Sequence, residues 1–531
     1  MGTMTTRVVK GALLLTLAGL VSKVLSAAYR IPLQNLTGDF GFYIYQQVYP
    51  IIGAAMILAL YGFPVAVSKL AAERSKHNHP IAYREFHMPI LIILLIINGF
   101  LFMLMFFSAP SIAAWIGDVQ LGRAFRLASF LFLLIPIISV MRGVFQGKEN
   151  MKQPAFSQVL EQLIRVSIII LTAVYIYVEK GDIYRIGEAG VFATMAGMAV
   201  ATIFLSIAAM KAPRQNSQSI EKRKVPWRHY VYICVTLGLV ASLNHMILIL
   251  VQLADVFTLV PNLMEYGLAP VAAMEAKGVF DRVQPLLQFG VVFGSSFALS
   301  LVPAVVKENE NKKSGPLHRS VEEAVSFSFY IAAGAAIGLI VILPETNVLL
   351  YMNKDGTGSL QVLAISILLA SVAITGCAIL QGIGLYFQPA AWIFSAFVIK
   401  WILNEVFVPK WGIFGSAMAT VISLLVLCCL VFHTLHRRLP GLSLFKKVDW
   451  KAFVIACTGM AAYLSIIKYA LSPLIEPSRL GLAIYVPFLV GSGAFIYLFL
   501  LLRNRAFTVK QLRALPFSNI VVELGRRAAK K

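Results

Sequence analysis

The sequence predicts an all-α integral membrane protein of about fourteen transmembrane helices, arranged as two parallel six-helix repeats around a central cavity plus two further C-terminal helices. Three observations predict it: composition, the distribution of basic residues and an internal duplication. Apolar residues make up 59% of the 531-residue chain and charged residues 13%, with a mean hydropathy of +0.80. Soluble domains average roughly 45–50% apolar and about 25% charged. Apolar runs long enough to cross a hydrocarbon slab of roughly 30 Å recur from end to end, which leaves no stretch for a separate soluble catalytic domain.

Apolar windows and loop punctuation place the spans near 11–29, 42–67, 88–108, 124–145, 154–178, 188–210, 229–259, 280–305, 320–343, 359–385, 390–408, 412–435, 450–472 and 480–502. The chain then divides into an N-lobe at 1–210, a basic linker at 211–228, a C-lobe at 229–436, spans 13 and 14 within 437–502, and a basic tail at 503–531. Basic residues precede the first apolar run, as in a signal peptide. No small-residue cleavage site follows and Lys23 interrupts the run, so it is expected to be a retained span. The five cysteines lie in apolar segments without CxxC or Cys/His ligand spacing and are expected as small packing residues.

Lysine and arginine number 46 against 24 acidic residues, a formal charge of +22. With an even span number and the N-terminus inside, about 32 of the 46 fall in cytoplasmic segments, about 11 outside and three within helices, the asymmetry expected of cytoplasmic loops. Both termini are therefore expected on the cytoplasmic side. Because the charge is spread over many short loops, it is a topology signal, and no nucleic-acid partner is expected.

QGKENMKQPA at 146–155 and QGIGLYFQPA at 381–390 share QG, a five-residue gap and QPA at an offset of 235. The same offset matches Val48 and Pro50 to Val283 and Pro285, and Arg165 to Lys400. GEAGVFAT at 187–194 and GIFGSAMAT at 412–420 fit an offset of 225. Six spans between matching positions keep both copies in one orientation, related by an axis along the membrane normal, and alternating access with the site between the bundles is the expectation. Spans 13 and 14 fall outside the duplication.

An ionised side chain at a helix centre costs about 2.5–3.5 kcal/mol on insertion scales, so it is expected to face protein or a watery cavity. Span 1 carries Lys23 and ends at Arg30, seven apart on one face, a candidate cationic stripe. Span 5 carries Gln158, Glu161, Gln162 and Arg165, where Glu161 and Arg165 are one turn apart and able to pair. Span 7 carries Asn244, His245, Gln252 and Asp255; span 8 opens with Asp281 and Arg282; span 11 carries Lys400 and Asn404. His245 is expected to be a packed histidine, and Asp255 is a candidate for a coupling cation of unknown identity. No Walker A phosphate loop, HExxH or GxSxG occurs, so neither catalytic residues, nor a metal centre, nor a cofactor is expected. Cations in a membrane cavity suit an anionic substrate, since Arg and Lys replace the hydration of phosphate oxygens.

SKVLSAAYRIPL at 22–33, QVYP at 47–50, FSQVLEQLIRVSI at 156–168, FDRVQPLLQFG at 280–290 and SLVPAVVK at 300–307 resemble the multidrug/oligosaccharidyl-lipid/polysaccharide (MOP) exporter superfamily over essentially the whole chain. Within it the chain looks most like the polysaccharide branch of MurJ-type lipid II flippases and the stage V sporulation protein B group. That resemblance implies a bacterial cytoplasmic membrane and movement of a polyprenyl-pyrophosphate-linked sugar to the outer leaflet, with membrane lipid and cell-wall synthesis proteins as partners. It also implies that Lys23, Arg30 and Arg282 contact the pyrophosphate, and that spans 13 and 14 form a groove for the polyprenyl tail. The chain departs from the family pattern in two places: Tyr29 stands where the second first-helix arginine is expected, and Ala54 where span 2 carries a basic residue. Two other readings compete: an ion-coupled multidrug or cation antiporter of the same superfamily, driven through Asp255 or Glu161, and a non-transporting envelope-assembly scaffold.

Overall fold

A computed structural model describes residues 18–19, 21–22, 24–76, 83–211, 225–311, 314–443, 446–471 and 479–507. The regular elements among them are all helical. In chain order they are α1 (Val24–Ser75), α2 (Glu85–Ile116), α3 (Val119–Gly147), α4 (Lys152–Glu179), α5 (Arg185–Met210), α6 (Trp227–Glu265), α7 (Pro270–Asp281), α8 (Gln284–Leu299), α9 (Val302–Glu310), α10 (Gly315–Tyr351), α11 (Thr357–Gly382), α12 (Phe387–Arg438), α13 (Trp450–Leu471) and α14 (Arg479–Arg503). All but α7, α8 and α9 are long and apolar enough to cross a membrane, eleven helices among the described residues. The chain is an all-α, multi-pass membrane protein.

Two of the eleven are not single crossings. α1 and α12 each hold 52 residues, which as straight helices would extend about 78 Å at 1.5 Å per residue. α1 turns at Gly38 (φ 68°, ψ −175°) and α12 at Gly412 (φ 56°, ψ −141°), conformations open to glycine because it lacks a Cβ. Contacts across each turn prove the reversal. The Tyr29 and Tyr45 hydroxyls are hydrogen-bonded, Arg165 touches both Ser26 and Met56, and Lys400 bonds Ser416. α12 therefore accounts for two of the expected spans, and α1 for the second and the end of the first, of which residues 11–17, 20 and 23 lie outside the described residues.

The eighth span differs from expectation. Instead of opening with Asp281 and Arg282, helix begins at Pro270, breaks at Arg282–Val283, resumes at Gln284 and breaks again before Val302. A proline, Pro285 or Pro303, stands in the first turn after each break; it lacks an N–H and disfavours helical backbone just before it.

The helices pack as two compact units, Met1–Pro261 with Ala269–Gly278, and Asn262–Leu268 with Val279–Lys531. The first takes in α6 as far as Pro261. At its centre lies the second leg of α1, where every residue from Gly41 through Pro50 is buried. α5 comes so near α4 that a Cβ at Gly197 would sit 2.6 Å from the Glu161 carbonyl oxygen. Between α2 and α3, Asp118 accepts hydrogen bonds from Tyr43 (3.3 Å) and Tyr184 (3.1 Å), tying that joint to α1 and α5. Burial pushes its carboxyl above the usual range.

In the second unit α10, α13 and α14 share a core that includes Phe327, Tyr330, Met460, Leu489 and Tyr497. The Tyr497 hydroxyl donates to the Tyr330 carbonyl (2.7 Å), and the Asp449 amide donates to the Tyr330 hydroxyl (2.8 Å). Lys468 pairs with Glu345 at 2.9 Å. The other faces of α13 and α14 expose Val454, Ile466, Tyr469, Ile484 and Phe495, as lipid-facing helices do.

Candidate anion-binding site

Four charged side chains, from α1, α3 and α4, are buried inside the first unit. Arg30, Arg142, Arg165 and Glu161 are each no more than 2% exposed. Their arrangement corrects the pairing expected from spacing. Glu161 does not bond Arg165 one turn along α4; it accepts from Arg142 Nη2 of α3 at 2.6 Å. Arg142 also donates through Nε to Ser157 Oγ (3.1 Å) and through Nη1 to the Ala59 carbonyl (3.2 Å). All three faces of that guanidinium are thus used, and its charge is neutralised.

The other two arginines have no carboxylate partner among the described residues. Arg165 places Nη2 on Ser26 Oγ (3.1 Å) and Nη1 on the Met56 sulfur, a weak acceptor, and its Nε has no partner there. Arg30 is completely buried. Its guanidinium lies 3.9 Å from the centroid of the Tyr49 ring, and none of its three nitrogens has a hydrogen-bond acceptor among the described residues. Rings link the two: Arg165 stands 5.9 Å over Tyr29, and Tyr45 packs against both Tyr29 and Tyr49 at 6.0 Å. Aromatic faces hold cations but neutralise no charge. Gln46 and Gln162 each add a buried side-chain atom without a partner among the described residues.

Arg142 was missed at the sequence level because it falls in the last turn of the expected span at 124–145, where it was counted among the cytoplasmic loop charges rather than as a cation inside a helix. The helix runs on to Gly147, so Arg142 lies more than a turn inside. The helix-compatible VFQ after it is the signal that was available.

The remaining candidates separate. Lys23, and most of the linker and tail, lie outside the described residues. Asn244, Gln252 and Asp255 are buried on α6 in the first unit. His245 stacks on Tyr61 with centroids 4.9 Å apart. Arg282 sits in the second unit at the α7–α8 break, where Nη1 donates to Asn353 Oδ1 (2.6 Å) and the guanidinium lies 5.3 Å over Tyr351. Lys400 and Asn404 belong to that unit too, bonded to each other at 3.0 Å.

Membrane-crossing helices packed around buried cations make this a polytopic membrane protein with a candidate anion site. Residues 8–307 match the polysaccharide biosynthesis protein family. The chain is 33% identical to the uncharacterized membrane protein YabM of Bacillus subtilis over 98% of this chain and 96% of that one. It is 23% identical to the lipid II flippase MurJ of the same organism, covering 93% and 95%. Among solved structures its fold is similar to a lipid II flippase MurJ in an inward closed conformation (TM-score 0.66, 11% identity, 92% and 98% covered). It is likewise similar to an inward-facing multidrug resistance MATE transporter of the MOP superfamily (TM-score 0.62, 18% identity, 79% and 95% covered). The chain belongs to the polysaccharide biosynthesis protein family.

Proposed function

We propose that this chain is a flippase that moves a polyprenyl-pyrophosphate-linked sugar from the cytoplasmic to the outer leaflet by alternating access, with Arg30 and Arg165 as its pyrophosphate contacts. One observation carries the reading: Arg30 is buried with all three nitrogens lacking an acceptor among the described residues. A buried charge is costly unless paired, so such a guanidinium is built for an anion that comes and goes. Arg142 is balanced by Glu161, while Arg30 and Arg165 leave two positive charges. A pyrophosphate diester carries one negative charge on each phosphate and matches them, and guanidinium forks suit phosphate oxygens. The flippase relative supports this substrate class. Lys23 and Arg282 stay candidate pyrophosphate contacts on the family resemblance alone, as α13 and α14 stay candidates for the tail. A cationic drug meets repulsion at the same place, which disfavours the antiporter reading.

The test is translocation of a fluorescent polyprenyl-pyrophosphate oligosaccharide in proteoliposomes. Hydrogen bonds to charged groups are worth about 1.5–3 kcal/mol, so Arg30→Gln and Arg165→Gln should each slow transport by about tenfold or more. Arg123→Gln, at an exposed position, should leave the rate unchanged. A double Arg30→Gln/Arg165→Gln variant that still works at the wild-type rate overturns the assignment.

A further inference from the structure

Asp118, in the turn between α2 and α3, is 4% exposed, and no cation pairs with it among the described residues. Its carboxylate is met by neutral donors. Oδ2 accepts from the Tyr43 hydroxyl of α1 (3.3 Å) and from the Tyr184 hydroxyl just ahead of α5 (3.1 Å), and Oδ1 from the Gln120 amide of α3 (3.2 Å). Behind the phenols stand two charged groups. Lys277 of α7 has its Nζ 5.9 Å from the Tyr43 ring centroid, and the Asp182 carboxylate accepts from the Tyr184 amide at 3.0 Å. A buried carboxylate without a cation is relieved by taking up a proton, and here burial outweighs the three hydrogen bonds that favour the charged form. The phenols can accommodate that proton, because a hydroxyl accepts as well as donates, and Tyr184, the less buried of the two, can turn its own hydrogen to water.

We propose that Asp118 is a proton-binding site of the first unit, and that proton uptake there steadies the joint between α1, the α2–α3 turn and α5. The joint bears on the candidate anion site through α1. Tyr43 lies in the buried run Gly41–Pro50, which also carries Tyr45 and Tyr49, and the Arg30 guanidinium lies over the Tyr49 ring. The asymmetry of basic residues expects this end of the helices on the side opposite the termini, so external protons are the ligand. The direction of the pH effect follows from linkage. A carboxyl that holds its proton more tightly in the folded chain than in the unfolded one adds stability as pH falls through its folded value, and the gain is complete below the ordinary aspartate value of about 3.9.

The full-length protein is unfolded thermally in detergent from about pH 8 down to about pH 4, a range that brackets a raised aspartate. Wild type is compared with Asp118→Asn, a neutral stand-in that still accepts from the Gln120 amide. The Tm of the variant minus that of wild type should decrease by a few degrees as pH falls, since the other carboxyls cancel in the difference. A difference that is constant with pH, or that grows on acidification, overturns the proposal. Tyr184→Phe removes a donor that favours the charged carboxylate. Its Tm deficit against wild type should therefore shrink as pH falls, and in the Asp118→Asn background that pH dependence should vanish. A deficit that holds constant or grows on acidification overturns the proposal, as does one that keeps its pH dependence without Asp118. Should Asp118→Asn fail to fold, the Tyr184→Phe deficit in the wild-type background decides alone. None of these readouts depends on transport, so the outcome is independent of the flippase reading.

Discussion

At the scale of single residues, the first unit separates a cation balanced by a carboxylate from cations with no carboxylate partner among the described residues. Arg142 spends three donors and its charge on Ser157, Ala59 and Glu161. Removing one member of such a buried pair leaves the other uncompensated, at about 3–5 kcal/mol, whereas replacing both with apolar groups is often neutral. Glu161→Gln should therefore lower the Tm markedly, and Arg142→Met/Glu161→Leu should recover most of the loss. A double-mutant cycle measured by thermal unfolding gives the coupling, and additive losses would show that the pair is not energetically joined. The polar residues themselves were legible in the sequence, since hydrophobic surroundings mark Arg165, Glu161 and Lys400 as out of place. Their partners were not. Spacing along one helix suggests Glu161 with Arg165, but the choice is made by α3, which brings Arg142 to the same carboxylate from a distant part of the chain.

At the scale of elements, the two 52-residue helices turn on a single glycine each. Gly412 has a backbone conformation (φ 56°, ψ −141°) that costs other residues of order 1–3 kcal/mol. Gly412→Ala should lower the Tm even though its nearest Cβ contact, on the Tyr266 ring at 3.4 Å, is not a clash. Gly99→Ala, in the interior of α2 with open space around it, should do the opposite, because alanine is favoured over glycine inside a helix by roughly 0.5–1 kcal/mol. Equal effects at the two positions, read by thermal unfolding, would show that backbone strain is not what Gly412 relieves. Span positions were legible because apolar length alone sets them. Gly38 and Gly412 were not legible as turns, since the sequence offers glycines in many helices and only tertiary packing decides which one reverses the chain. The break at Arg282 had its signal in Pro285, but the helix before it is too mixed in polarity to stand out.

At the scale of the whole molecule, the expected topology makes the excess of basic residues an orientation device. With the buried Arg142 set aside, about 31 of the 46 lysines and arginines fall on one side of the expected even-numbered topology, and the bias acts through many loops at once, so no single substitution should reverse it. The proposed transport direction depends on that orientation, because it fixes which leaflet the termini share. Two exposed lysines sample opposite sides: Lys354, after α10, and Lys446, between α12 and α13. In a chain whose five native cysteines are replaced, Lys354→Cys should react with a membrane-impermeant maleimide in intact cells, and Lys446→Cys only after permeabilisation. The reverse pattern would turn the molecule over and with it the direction of transport. Labelling of both in intact cells would mean that the loop charges do not hold one orientation. Lys446→Cys removes one cation from the cytoplasmic set and Lys354→Cys one from the outer set, so the first weakens the bias by a single charge and the second strengthens it by one, which leaves the other basic residues to hold the orientation while it is read.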